Sequence, residues 1–85
     1  MKNYVSLAID RSKGLGIRFY SGTLYQGIGV IWCRNKLIGT YEALQHGRHH
    51  VRLDARQEGN RHFNDQKVTA DTLGGAMRFI MENSQ

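Results

Sequence analysis

Residues 27–41 read GIGVIWCRNKLIGTY, and this stretch decides the fold. Its first part, residues 27–34, is a β-branched and aromatic run that predicts a central strand. Arg34-Asn35-Lys36 is typical of a tight hairpin turn, and residues 37–41 predict the strand that returns beside it. Residues 42–44 either extend that strand or form a short helical turn. The stretch therefore predicts a sheet in which chain neighbours pair as antiparallel strands.

Upstream of this hairpin, apolar and polar side chains alternate in two segments, which predicts two half-buried strands, at residues 3–10 and 17–20. Residues 11–16 form the turn between them, and the glycines there allow positive φ angles. A second connection occupies residues 21–26. The apolar side chains expected on the inner side of these strands are Val5, Leu7, Ile9, Ile17 and Phe19.

Downstream, residues 49–57 alternate again and predict a further strand, followed by a polar loop at residues 58–66. The two faces of that strand would carry Val51, Leu53 and Ala55 on one side and His50, Arg52, Asp54 and Arg56 on the other. From Thr69 the apolar spacing becomes that of a helix, with Thr69 or Asp71 as its N-cap. The sequence thus predicts one α+β domain over residues 1–85, a four- to five-stranded antiparallel meander with one C-terminal helix packed on one face.

Composition narrows the class of protein. Eighty-five residues are enough for one small domain with a core. Their hydrophobic fraction of 40% is too high for a disordered chain. The single cysteine, Cys33, excludes an internal disulfide and indicates a reducing compartment. No apolar run approaches the roughly 20 residues that span a bilayer, and Ser6, Asp10 and Arg11 interrupt the N-terminal apolar stretch, so it is no signal peptide. We expect a soluble cytoplasmic protein with no membrane partner.

The net charge of +5 suggests an anionic partner, and one group of arginines keeps a regular spacing. Arg48, Arg52 and Arg56 are four residues apart, which would place them on one face of either a helix or a strand. Arginine offers a planar fork of donors that suits phosphate. The alternative interpretation is the solvated outer face of an edge strand, on which Asp54 and Glu58 pair with the arginines.

The turns carry a second group of basic residues. In a meander the first and third connections lie at the same end of the sheet, and the fifth strand also ends there. The candidate nucleic-acid-binding residues are therefore Arg11, Lys13, Arg34, Lys36, Arg56 and Arg61, flanked by Arg48 and Arg52. The alternative is that these turns are charged only because turns generally are.

Other constellations are weaker. Four histidines lie within residues 46–62, but neighbours such as His49 and His50 point to opposite faces of a strand, so we predict no metal and no cofactor. A small ribonuclease needs one histidine, one carboxylate and arginines. His50, Arg52, Asp54 and Glu58 offer such a set from one strand face, but nothing fixes their geometry, so no catalytic residue is assigned. Trp32 is expected in the core, while Tyr20, Tyr25 and Tyr41 are expected to pack across strands rather than stack on bases.

These observations favour a small non-enzymatic accessory or regulatory protein that binds nucleic acid, either DNA or RNA, of a size that suits a bacterium or a phage. One alternative is a protein-interaction module that docks an acidic partner surface or extends a partner's sheet. A second alternative is a small ribonuclease. Because one helix covers only one face of the sheet, a homodimer that buries the other face is physically reasonable.

Overall fold

The computed structural model describes residues 5–19 and 27–84; the predicted connection at 21–26 lies outside them, as do Tyr20 and Tyr25. The elements in chain order are β1 (Val5–Asp10), a 3-10 turn (Arg11–Lys13), β2 (Leu15–Phe19), β3 (Ile28–Cys33), β4 (Lys36–Ala43), a 3-10 turn (Gln45–Gly47), β5 (His49–Leu53), β6 (Arg56–Glu58), β7 (Arg61–Phe63), β8 (Gln66–Ala70) and α1 (Leu73–Asn83).

The architecture is α+β, as predicted, with more strands than predicted. Six strands form one antiparallel sheet in the order β1-β2-β3-β4-β5-β8, and β6 and β7 pair as a separate hairpin. The helix α1 packs on β5 and β8, so one face of the sheet is covered. We call this covered face the helix face and the opposite one the open face. In the described part of the chain, no helix is long and apolar enough to cross a membrane.

The hairpin of residues 27–41 forms as predicted. Arg34 and Asn35 occupy the two loop positions with φ angles of 52° and 66°, and Cys33 pairs with Lys36 across them. Positive φ at both positions is the mark of a type I′ turn, whose twist matches that of the flanking strands. The returning strand β4 continues to Ala43 before the chain enters the second 3-10 turn.

Cross-strand register places the predicted inner residues together. Ile17 pairs with both Leu7 and Ile31, and Tyr41 pairs with Val51. The fully buried core on the helix face consists of Leu15, Ile17, Phe19, Ile31, Tyr41, Val51 and Leu53 from the sheet and Ala76 and Ile80 from the helix. Alternation therefore identified the inner face correctly within β1, β2 and β5, because a strand that is buried on one side alternates with a period of two. Ala55, predicted on the same face as Val51 and Leu53, lies beyond the end of β5 and is exposed.

The start of the helix was predicted wrongly. Thr69 belongs to β8, where it faces His50 of β5, and the N-cap is Thr72, whose hydroxyl accepts a hydrogen bond from Gly75 N at 3.0 Å. Asp71 lies between strand and helix and does not cap α1. All three candidates have suitable side chains, so the choice depends on where β8 stops pairing.

The segment at residues 54–66 also differs from the prediction. The strand ends at Leu53, and residues 56–63 form the hairpin of β6 and β7 instead of a continued strand and a polar loop. Asp54 N donates to Ile38 O at 2.9 Å, and Ala55 N donates to the Asp65 carboxylate at 2.6 Å. The first bond continues the pairing with β4 by one residue, and at the second the backbone bonds a side chain instead of β4 as the chain leaves the sheet.

Trp32 is not in the core. The alternation along β3 buries Ile31 under the helix and places Trp32 on the open face, where it is half-buried. Ile28 and Leu37 are exposed, at 62% and 47%. In a strand that is apolar on both sides, periodicity does not say which side the helix will cover.

Candidate nucleic-acid interface

The two basic turns are in direct contact. The β1–β2 and β3–β4 connections lie at the same end of the sheet, which we call the turn end, and Arg34 N donates to Gly14 O at 3.2 Å. Gly14 has a φ of +61°, and a Cβ atom there would lie only 3.2 Å from Arg34 N. Glycine thus allows the left-handed conformation and the close approach that bring the turns together.

A pocket of about 390 Å3 opens at this end on the helix face, and we call it the basic pocket. Its lining residues are Lys13, Cys33, Arg34, Lys36, Ile38, Arg56, Glu58 and Ser84. Four cations against one carboxylate leave a net charge of +3 around it. In the described part of the chain, Lys13, Arg34 and Lys36 form no ion pair within 4 Å. Such a concentration of uncompensated donors attracts anions.

The first basic turn is held by a short hydrogen-bond network. The Asp10 carboxylate accepts bonds from Ser12 N at 3.0 Å and from Ser12 Oγ at 2.6 Å, which fixes the 3-10 turn that carries Lys13. The bond from the Ser12 side chain, with support from the Ser12 backbone and from the charge of Lys13, lowers the pKa of Asp10 below its ordinary value of 3.8. Cys33 Sγ donates to Lys13 O at 3.4 Å and ties the turn to β3.

Arg34 occupies a conformation that its side chain disfavours. Its φ of 52° lies in the left-handed region, where glycine, asparagine and aspartate are preferred and where another residue costs about 1–2 kcal/mol. The next residue, Asn35, matches the preference and Arg34 does not. Strain of this kind clusters at functional positions, so it makes Arg34 a candidate; His46, with a φ of 62°, shares the conformation at the opposite end of the sheet.

Arg56 joins the basic pocket to the rest of the fold. Its Nη1 donates to Asn83 O at the end of α1 at 2.6 Å, and its Nε lies 3.5 Å from the Glu58 carboxylate. Its guanidinium also lies 4.2 Å from the ring centroid of Phe63. A cation at the C-terminal end of a helix is favourable because the helix dipole is negative there.

The other four predicted residues lie outside the basic pocket. Arg11 extends from the same turn as Lys13 but lines a second pocket on the open face. Arg61 is exposed in β7, 5.2 Å from the Phe63 ring centroid. Arg48 lies at the opposite end of the sheet, between the second 3-10 turn and β5. Arg52 lies on the open face of β5 and pairs with Asp54 and Asp65 at 3.5 and 3.6 Å.

The predicted common face of Arg48, Arg52 and Arg56 is therefore wrong. Arg48 precedes β5, Arg52 projects from its open face, and Arg56 reaches the helix end on the helix face. Asp54 pairs with Arg52 and Glu58 with Arg56, as the alternative interpretation held, while Asp65 was not foreseen as a second partner of Arg52. The strand β5 is an interior strand rather than an edge. The spacing by four would have aligned these residues only within one continuous element.

Of the residues considered for catalysis, His50, Arg52 and Asp54 stay near one another on the open face, and Glu58 is separated from them. His50 lies on the open face, with Nδ1 3.2 Å from Thr69 Oγ1, whereas Glu58 lines the basic pocket. Within residues 5–19 and 27–84, no group of three or more His, Cys, Asp or Glu side chains is close enough to hold a metal ion. His49 points to the opposite face from His50, as predicted, and its Nδ1 lies 2.5 Å from Tyr41 Oη.

Sequence reasoning missed the second pocket, which has a volume of about 280 Å3 and includes Arg18 and Trp32. No single segment of the sequence carries a signal for it, because the pocket depends on the alignment of Gly16 with Trp32 across two strands. No family model matches the chain, and no curated protein or solved structure is similar to it. Function must therefore be argued from the site.

Proposed function

We propose that this protein is a small, non-enzymatic accessory or regulatory protein that binds nucleic acid through the phosphates, with the basic pocket at the turn end as its main contact. The observation that carries the proposal is the convergence of Lys13, Arg34, Lys36 and Arg56 around one pocket. Turns that were charged only by chance would not be expected to bring three unpaired cations together.

The chemistry of the lining supports phosphate as the anion. Arg34 supplies a planar fork of donors, while Lys13 and Lys36 supply compact charges that need no fixed geometry. Each neutralised phosphate releases condensed counterions, so affinity would fall steeply with salt. The strain at Arg34 supports the same conclusion, because asparagine there would relieve the turn but remove the guanidinium.

The test measures binding at a series of salt concentrations, with the fluorescence anisotropy of labelled duplex and single-stranded oligonucleotides as the readout. Three phosphate contacts predict slopes of log K against log salt of about −2.7 on duplex DNA and about −2.1 on single strands. Replacing Lys13, Arg34 and Lys36 together by glutamine should make the slope shallower by about 2–3 and weaken binding to all sequences equally.

A matched control removes the same charge elsewhere. Arg48, Lys67 and Arg78 are exposed and lie outside the basic pocket, so their joint replacement by glutamine should change affinity much less. Equal loss from both triple variants would mean that net charge alone drives binding, and would refute the site. Absence of salt-dependent binding by the wild-type protein would refute the function.

A single variant separates the site from the fold. Arg34→Asn should stabilise the type I′ turn by about 1 kcal/mol while it weakens nucleic-acid binding. Opposite changes in stability and affinity are characteristic of a strained functional residue. If Arg34→Asn bound as tightly as the wild type, the pocket would lose its most specific support.

An acidic protein surface could bind the same cations. Binding to such a protein, instead of to nucleic acid, is the competing outcome of these experiments. A complex that survives nuclease treatment and is lost in the triple pocket variant, without any oligonucleotide binding, would favour that partner.

The cytoplasmic location belongs to the proposal, since the single half-buried Cys33 suits a reducing compartment. The homodimer stays a prediction, which analytical ultracentrifugation measures directly.

A further inference from the structure

The open face carries a pocket that the basic pocket does not explain. We call it the open-face pocket; it has a volume of about 280 Å3 at the turn end, and its principal lining residues are Ser6, Ala8, Arg11, Gly16, Arg18 and Trp32. Ala8 pairs with Gly16, and Gly16 pairs with Trp32. The two smallest residues, Ala8 and Gly16, therefore lie beside the large side chain of Trp32, and a hollow forms next to the indole ring.

The hollow follows from the backbone of the sheet. A Cβ atom at Gly16 would lie 2.7 Å from Leu7 O, so no larger residue fits there without moving β1. The register between β1 and β2 shifts at this point, between Ala8 and Asp10. Glycine at this position is thus a requirement of the fold, and the space beside Trp32 is a permanent feature of the open face.

The walls of the hollow are planar and cationic. The Arg18 guanidinium carbon lies 4.4 Å from the Trp32 ring centroid, which is the geometry of a cation–π contact. Trp32 is half-buried, and its indole ring forms part of the pocket lining. Arg11 lines the same hollow and can neutralise an anion bound there.

These features suit a flat aromatic ring that carries a phosphate. An indole ring and a guanidinium plane are the two groups on which proteins stack unpaired bases. The volume lies just below the usual range for small-molecule sites, which fits one base better than a larger ligand. A base within a duplex is stacked on its neighbours and could not enter, so the nucleic acid must be single-stranded.

We infer that the open-face pocket binds one unpaired base of a single-stranded nucleic acid, stacked against Trp32 and Arg18, with its phosphate on Arg11. The inference rests on the proposed function, because it selects the class of nucleic acid bound. Arg11 and Lys13 belong to one short turn, and their Cα atoms can be at most about 7 Å apart. A strand whose phosphates contact Lys13 therefore passes within reach of the open-face pocket.

The test uses Trp32 as its own reporter, since it is the single tryptophan of the chain. Titration of the wild-type protein with a thymidine oligonucleotide and with a duplex of equal length should quench its fluorescence with the single strand only. Ala8→Leu places a larger side chain in the hollow from an exposed position and should weaken single-strand binding about 5- to 150-fold, the value of one lost stack. Its binding to duplex should not change.

Thr40→Leu is the matched control, because it adds a similar apolar side chain on the open face outside the pocket. Circular dichroism verifies the fold of each variant, and Trp32→Leu, measured by anisotropy of a labelled strand, provides a second route if Ala8→Leu misfolds. If the protein bound single strand and duplex equally and Trp32 fluorescence did not change, this inference would be overturned and the proposed function would stand. Failure to bind either nucleic acid would overturn both.

Discussion

Arg56 should contribute more to stability than any other cation of the basic pocket. As far as the structure describes the chain, it is the one lining cation that bonds the helix end and lies against the Phe63 ring across its own hairpin. Its side chain is 23% exposed, contacts Glu58 and Phe63, and donates to Asn83 O at 2.6 Å. It therefore ties the β6–β7 hairpin to the C-terminal end of α1. The perturbation that tests this connection is Arg56→Ala.

The expected loss follows from the individual contacts. A hydrogen bond from a charged donor contributes about 1.5–3 kcal/mol, and partial exposure favours the low end. The contact with Phe63 adds about 0.5–1 kcal/mol, and the pair with Glu58, which is 55% exposed, adds at most about 0.5 kcal/mol. Since one guanidinium makes all three contacts, they are not additive, and we expect a total loss of about 2–3 kcal/mol.

Urea unfolding followed by far-UV circular dichroism measures this loss. A chain of 85 residues has a free energy of unfolding of about 4–13 kcal/mol, so a loss of 2–3 kcal/mol is easily resolved. The melting temperature should fall by roughly 10–20 °C. Arg56→Lys keeps the charge but loses the planar fork, and should fall between the wild type and Arg56→Ala.

Arg61→Ala is the matched control, since Arg61 is exposed and its guanidinium lies further from the same ring, at 5.2 Å. It should change the free energy of unfolding by less than about 0.5 kcal/mol. The reasoning is refuted if Arg56→Ala unfolds within about 0.5 kcal/mol of the wild type. It is equally refuted if Arg56→Lys is as stable as the wild type, because the fork would then have no role.

Two further predictions concern the core. Burial raises the pKa of Tyr41 above its ordinary value of 10.0, so the folded state holds this proton more tightly than the unfolded state. The contribution of the Tyr41 hydroxyl to the free energy of unfolding is complete below pH 10 and is lost as the pH rises through the folded pKa. Tyr41→Phe should therefore lower the free energy of unfolding by about 1 kcal/mol at pH 8 and by less at pH 11. An equal loss at both pH values would contradict this. Gly39→Ala should destabilise by about 1–3 kcal/mol in urea unfolding, because the added Cβ would lie within van der Waals overlap of Arg52 O, whereas Gly74→Ala, with nothing within 4 Å, should be neutral or stabilising.

The sheet was predictable where one local signal determines the outcome. Alternation in β1, β2 and β5 directly reports which side chains are buried, so Leu7, Ile17 and Val51 were assigned to the correct face. The hairpin at Arg34 and Asn35 was predictable because only a tight turn joins two such strands. The convergence of the turns at one end followed from the meander alone, without any knowledge of side-chain contacts.

The features that could not be predicted depend on contacts distant in sequence. Thr69 and Thr72 have the same capping chemistry. The pairing of Ala70 with His49 shows that β8 extends past Thr69, so the helix begins only after Thr72. Trp32 and Ile31 are both apolar neighbours in β3, and the position of α1 decides which of them is buried. The hollow beside Trp32 depends on the alignment of Gly16 with it across two strands, which no single segment of sequence reveals.

The failure of the arginine register shows where the uncompensated charge comes from. Spacing by four aligns side chains only while the backbone keeps one conformation, and that conformation ends where Ala55 N bonds Asp65 instead of β4. Arg52 is left among carboxylates on the open face, while Arg56 turns to the helix end. The uncompensated charge therefore comes from the turns, which the meander brings together. Substitutions in two short turns can therefore change this charge without disturbing the core, and the opposite effects that we expect of Arg34→Asn on stability and on the proposed binding test that separation.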